Sequence, residues 1–178
     1  MADEMGASAK TAWDTIQKII KGFQWVEETD VLVGIPAEKN NDHGGINNAS
    51  LLYIHENGSP VNNIPPRPVL KPGINDPEES PKIQELLKEG IQQALAGNLQ
   101  GAENAYQRAG MAGAAAVQKK FTDGDLAANA PITINGGWMR NKVSGKMVHV
   151  KGKGDKGPLI NTGALRQSIT FVIRKKGK

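Results

Sequence analysis

Asn63-Ile-Pro-Pro-Arg-Pro-Val-Leu-Lys-Pro-Gly-Ile74 holds four of the ten prolines in this 178-residue chain, and seven of the ten fall between Pro60 and Pro81. Proline fixes φ, removes a backbone donor and biases the preceding residue to extended geometry. The stretch therefore reads as neither helix nor central strand. Apolar Ile64, Val69 and Leu70 flank Arg67, which argues against a slack linker and against an adaptor ligand such as Pro65-Pro-Arg-Pro68. A stiff chain with little entropy left to lose on docking fits better: a rigid structural arm over residues 59–75.

Helix signals lie on both sides of this arm. Upstream, Trp13, Ile16, Ile19, Ile20 and Phe23 recur at helical spacing and predict an amphipathic helix ending near Gly22. Val31-Leu-Val-Gly-Ile35 predicts a short buried strand. Asn48 is a candidate cap for a helix through Ile54, stopped at Asn57-Gly58. Downstream, Asp76-Pro77-Glu78-Glu79 predicts a helix start with Glu79 closing a capping box. The buried stripe of that helix would be Ile83, Leu86, Leu87, Ile91, Ala94 and Leu95. A second helix, from about Leu99 to Phe121, carries small residues at Ala102, Ala105, Ala109, Ala112, Gly113 and Ala116, suited to close packing on one neighbour.

The last third reads as β. Ile132-Thr-Ile134 is a strand candidate, Trp138–Val143 and Met147–Lys151 flank Ser144-Gly-Lys146 as a hairpin, and Ile169–Ile173 is a strand. Thr162 is a candidate cap for a turn of helix over Ala164-Leu-Arg166. The expected fold is a single α+β domain over 1–178. It has an antiparallel sheet of three to five strands, two long helices on one face and the extended proline-rich arm. Residues 135–157 form a basic hairpin or loop within it.

Composition bounds the chemistry. The chain has no cysteine, which excludes disulfides and thiolate sites. MADEMGASAK is polar and acidic, unlike a secretory leader, and no apolar run nears the ~20 residues of a membrane helix. His43, His55 and His149 lack a second histidine three or four residues away, so no helical metal pair exists. Gly152-x-Gly154-x-x-Gly157 has the letters of a dinucleotide fingerprint, but Pro158 follows and no long helix opens there. Asp123-Gly-Asp125 is too short for a calcium loop. The expectation is a protein with no catalytic residues, metal or cofactor.

Charge is unevenly spread. Residues 1–137 carry 11 Lys/Arg against 17 Asp/Glu, a net of −6, whereas residues 138–178 carry 11 Lys/Arg against Asp155 alone, a net of +10. Lys151, Lys153, Lys156, Arg174, Lys175 and Lys176 are candidate contacts to DNA phosphates or to an acidic partner. No zinc-finger or RNA-recognition signature accompanies them.

Four blocks then occur in order: Leu32-Val-Gly-Ile-Pro36, Tyr53-Ile-His-Glu-Asn-Gly-Ser59, Ile64-Pro-Pro-Arg-Pro-Val-Leu-Lys-Pro-Gly-Ile74 and Pro158-Leu-Ile-Asn-Thr-Gly-Ala-Leu-Arg-Gln-Ser-Ile169. Together they resemble the tail-completion and neck proteins of long-tailed bacteriophages and prophages. Asn161 stands where that family commonly has Asp, and Val69 replaces a bulky aromatic.

The resemblance implies a non-enzymatic virion protein that joins a ring, often a hexamer, at the head–tail junction after assembly in the host cytoplasm. The implied partners are copies of itself, the head connector and neck proteins, and the tail tube or tail terminator protein. Genomic DNA would pass through, and no membrane is involved. Ile64, Pro65, Pro66, Arg67, Pro68, Leu70, Lys71 and Arg166 are the expected assembly contacts. The alternatives are a non-sequence-specific DNA-binding protein acting through its basic C-terminal region, and a minor tail or other virion morphogenesis protein.

Overall fold

A computed structural model describes residues 2–42, 45–123, 126–141, 144–154, 157–159 and 163–176, with side chains from residue 9 onward. The chain is mixed helix and sheet. Helix α1 (Ala2–Glu28) runs straight into strand β1 (Thr29–Gly34), followed by α2 (Asn48–Asn57), α3 (Leu70–Ile74), α4 (Ser80–Leu95) and α5 (Leu99–Lys120). A short α6 (Pro131–Asn135), strands β2 (Gly136–Arg140) and β3 (Met147–Lys151), α7 (Ala164–Ser168) and β4 (Thr170–Lys175) complete it.

The strands form two separate antiparallel ribbons rather than one sheet of three to five strands. β1 pairs with β4 from Thr29↔Lys175 to Gly34↔Thr170, and β2 pairs with β3 from Gly136↔Lys151 to Arg140↔Met147. Ile132-Thr-Ile134, expected as a strand, lies in α6. Pro131 sits in the first turn, where its missing N–H costs nothing, and Gly136 at φ 74° ends the turn. The long helices also differ from two cylinders on one face: α5 covers the β1–β4 ribbon, while α4 packs on α5 and α1.

α5 is the centre of the molecule. Its small-residue face is buried at Ala102, Ala105, Ala109, Gly113 and Ala116, yet it meets α3, α4, β1 and β4 instead of one neighbour. A Cβ on Gly110 would stand 2.2 Å from the Phe171 ring of β4. On the other side, Trp25 of α1 packs on Tyr106 with ring centroids 4.8 Å apart.

Three helix boundaries depart from the sequence reading. α1 does not stop at Gly22 but continues to Glu28, and a Cβ at Gly22 would fall against the Ala94 carbonyl oxygen. The glycine is a close-packing contact with α4, not a terminator. α2 is capped by Asn47, whose side chain accepts from Ser50 N–H. Asn48 is buried and donates to Lys39 O instead. α4 begins at Ser80 after a turn in which Asp76 accepts from Glu78 N–H, and Glu79 pairs with Lys82 and Lys119 rather than closing a capping box. The candidate cap Thr162 lies outside the described residues.

Leu52, Val69, Val117, Phe121, Leu165 and Ile169 form the buried cluster, joined by Val33, Ile35, Leu51, Leu70, Ile74, Leu126 and Leu159. Three of the four sequence blocks supply members, from Val33 in the first to Ile169 in the last, whereas Tyr53–Ser59 supplies none. Burying an aliphatic side chain of this kind contributes roughly 1.5–3 kcal/mol, so this junction anchors the arm and the ribbon together.

Candidate functional site

The proline segment is the candidate site, and it is built into the body. Gly58 ends α2 at φ 74°, and a short 3-10 turn over Pro60–Asn62 carries the chain to Asn63, which takes a left-handed φ of 54°. Ser59 N–H donates to Ile64 O and Ile64 N–H to Ser59 O, which closes the loop. Arg67 N–H then donates to His55 O at 2.6 Å.

Leu70–Ile74 is not extended but folds as α3. Its entry is held by Glu56. That carboxylate accepts from the N–H groups of Val69 at 2.8 Å, Leu70 at 3.2 Å and Lys71 at 3.4 Å. A helix start leaves such donors without intrahelical partners, and a carboxylate bonded to them is the stronger, charge-assisted kind of cap. Val69 is fully buried beneath it. A Cβ on Gly73 would lie 2.7 Å from Val117 Cα, so α3 rests almost backbone to backbone on α5.

Arg67 was expected as an outward assembly contact. It is 7% exposed, its Nε donates to Ala127 O at 2.7 Å, and one terminal nitrogen donates to Ala128 O at 2.8 Å. The guanidinium is consumed in tying the arm to the segment after α5. Leu70 likewise packs against the core, and Ile64 is half-buried. Pro65, Pro66, Pro68 and Lys71 remain exposed and within a partner's reach, as do Pro60, Val61, Asn62 and Asn63 at the start of the arm.

Beside the arm lies a cleft of about 710 Å³, lined by His55, Asn63, Arg67, Thr133, Lys153 and Leu165 among others. His55 Nδ1 is buried and, among the described residues, meets no hydrogen-bond partner. Burial, with the Arg67 charge adding to it, holds this histidine below the usual value of 6.5, so it is neutral at pH 7. Among the described residues no three His, Asp or Glu converge as a metal site, and no helix is long and apolar enough to cross a membrane.

The basic candidates are dispersed. Lys151 lies on β3 and Lys153 just beyond it, whereas Arg174 and Lys175 lie on β4 of the other ribbon and Lys176 follows them. All five are exposed, and Lys176 Nζ lies 3.7 Å from Asp30. Arg166 is exposed on α7. Lys156, His43 and Asn161 lie outside the described residues. Trp138 is 66% exposed at the β2–β3 ribbon, edge-on to the exposed His149 with centroids 5.3 Å apart.

Sequence reasoning missed Glu56 as the cap of α3. Its signal was present: an acidic residue at a helix end, thirteen positions before an apolar turn. The distance along the chain hides it. Comparison with protein-family models, curated proteins and solved structures returned no match.

Proposed function

We propose that this chain is a structural, non-enzymatic virion protein of the phage neck or upper tail. It forms a ring that completes the tail and joins it to the head connector. The observation that carries this reading is that the four resembling blocks are tied together in the fold: the first, third and fourth supply Val33, Val69 and Ile169 to one buried cluster, and the second holds the third through His55 O and the Glu56 carboxylate. Blocks more than 100 residues apart act as a single structural unit, which supports treating them as one family signature rather than four coincidences. The exposed Pro65, Pro66, Pro68 and Lys71 are the ring or connector contacts. Arg67, Ile64 and Leu70 serve that contact indirectly, by fixing the shape of the arm.

Both edges of the β1–β4 ribbon lack a further strand among the described residues. Unpaired edges are templates for strand addition. In the ring, a neighbouring copy's strand would widen this ribbon into the sheet of three to five strands expected from the sequence. Particles assembled without the protein test the reading: tailless heads beside free tails are expected. Complete particles made without it would refute the joining role.

DNA contact is a second reading, favoured by the exposed Trp138 beside the basic residues of the β2–β3 ribbon. Phosphate binding of this sort weakens steeply as salt rises. Binding to duplex at low salt that vanishes in the K151E/K153E variant would support it, and no binding at low salt would remove it.

A further inference from the structure

The β2–β3 ribbon has one cationic, aromatic face. Side chains alternate across a strand, and residues paired across two strands share a side. The register therefore puts Trp138 and His149 on one face, with Lys151 toward the base of the ribbon and Arg140 and Met147 toward its tip. All five are exposed. The other face carries Met139, Val148 and Val150 and leans on the body at its base. There Val150 is half-buried, and a Cβ on Gly137 would lie 4.0 Å from Ile132 of α6.

We propose that the cationic face binds single-stranded DNA, one base stacking on Trp138 while Lys151 and Arg140 hold the phosphates to either side. The inference rests on the DNA reading above and narrows it to one form of DNA. Residues 136–154 hold five Lys/Arg and no Asp or Glu, which selects a polyanion. The indole is 66% exposed, and its edge-on contact with His149 occupies at most one of its two faces. Lys151 pairs with Gly136, so a cation stands one pleat repeat from Trp138 in each direction, about 7 Å along the ribbon. Arg140 Nε donates to Gly145 O at 2.9 Å, which anchors the guanidinium near the tip and leaves its charge in place.

Base faces separate the two forms of DNA. A duplex keeps its base faces inside the stack and shows a ribbon only phosphates, sugars and base edges. A single strand offers phosphates and free base faces together. Stacking on an aromatic side chain beside cations holds such strands without regard to sequence. An acidic protein surface would answer the charges and leave the open indole face without a use.

Fluorescence anisotropy with the full chain tests this, using a labelled mixed-sequence strand of about 20 nucleotides, alone or annealed to its complement. At physiological salt the single strand should bind at least fivefold more tightly than the duplex. Trp138→Ala should weaken single-strand binding roughly five- to a hundredfold, with an unchanged circular dichroism spectrum because the site is exposed. Trp138→Phe should recover most of that loss. R140A/K151A should reduce the slope of log K against log salt by about 1.4, two phosphate contacts' worth. A duplex bound as tightly as the single strand would overturn the inference and leave the phosphate reading standing. So would a Trp138→Ala protein that binds like wild type, a Trp138→Phe protein no better than Trp138→Ala, or a salt slope unchanged in R140A/K151A. Absence of binding to either form at low salt would remove the DNA reading itself, and this inference with it.

Discussion

Three neighbouring side chains, His55, Glu56 and Arg67, turn a proline-rich string into a fixed shape. Glu56→Gln keeps the acceptor and loses the charge at three N–H groups, and should cost about 1 kcal/mol in urea unfolding. Arg67→Met keeps the packing and strips two carbonyls of their donor, with an expected loss of about 1–3 kcal/mol. His55 adds a pH dependence of known sign. Its folded form resists protonation, so its contribution is complete above the ordinary value of 6.5 and declines as pH falls below it, where only the unfolded chain gains the proton. His55→Gln should flatten that acid-side decline, read as the unfolding midpoint between pH 7 and pH 5. The sequence pointed to this segment but misplaced Arg67 outside. Prolines on either side speak for exposure, while the acceptors that bury the guanidinium lie 60 and 61 positions away.

Local patterns named most elements and misjudged the ends of several. The periodicity of α1, the apolar run of β1 and the small face of α5 all correspond to observed elements, since each signal sits within a short local stretch of chain. Gly22 was misread because a glycine that ends a helix and one that lets another helix approach look the same in a string of letters. The distinction is testable. Gly22→Ala would raise helix propensity by about 1 kcal/mol in an isolated peptide. In the protein its methyl would strike the Ala94 carbonyl, so α1 must lift from α4 and Trp25 from Tyr106. The net effect should be a loss of about 1–3 kcal/mol, with a weakened aromatic signal in the near-ultraviolet circular dichroism. An increase in stability would show that the two helices are not held at this spacing. The amphipathicity of α1 was equally legible, but not its direction. Periodicity shows that a helix has an apolar face and is silent on whether the same chain covers it.

At the scale of the whole molecule, the arm has a buried side that belongs to the core cluster and an exposed side that does not, so folding and the proposed joining can be perturbed separately. The arm offers the sharpest case. Pro65, Pro66 and Pro68 are exposed, while Arg67 and Val69 beside them are buried and hold the segment from within. Replacing all three prolines with glycine therefore removes no core contact. It acts through the unfolded chain, whose freedom rises, and should lower stability by about 1–3 kcal/mol in total. A folded, compact protein is the expected product, with an unchanged circular dichroism spectrum.

Docking is another matter. A partner that binds a pre-set arm gains affinity because the ordering cost was met on folding, and glycine returns that cost to the moment of contact. On the proposed joining role, phage particles carrying the triple variant should accumulate as separate heads and tails, with the fraction of joined particles at least tenfold below wild type by electron microscopy. Wild-type yields of infectious particles, from a protein shown to be folded and incorporated, would mean that the exposed prolines meet nothing. The joining surface would then have to be sought on the open edges of the β1–β4 ribbon.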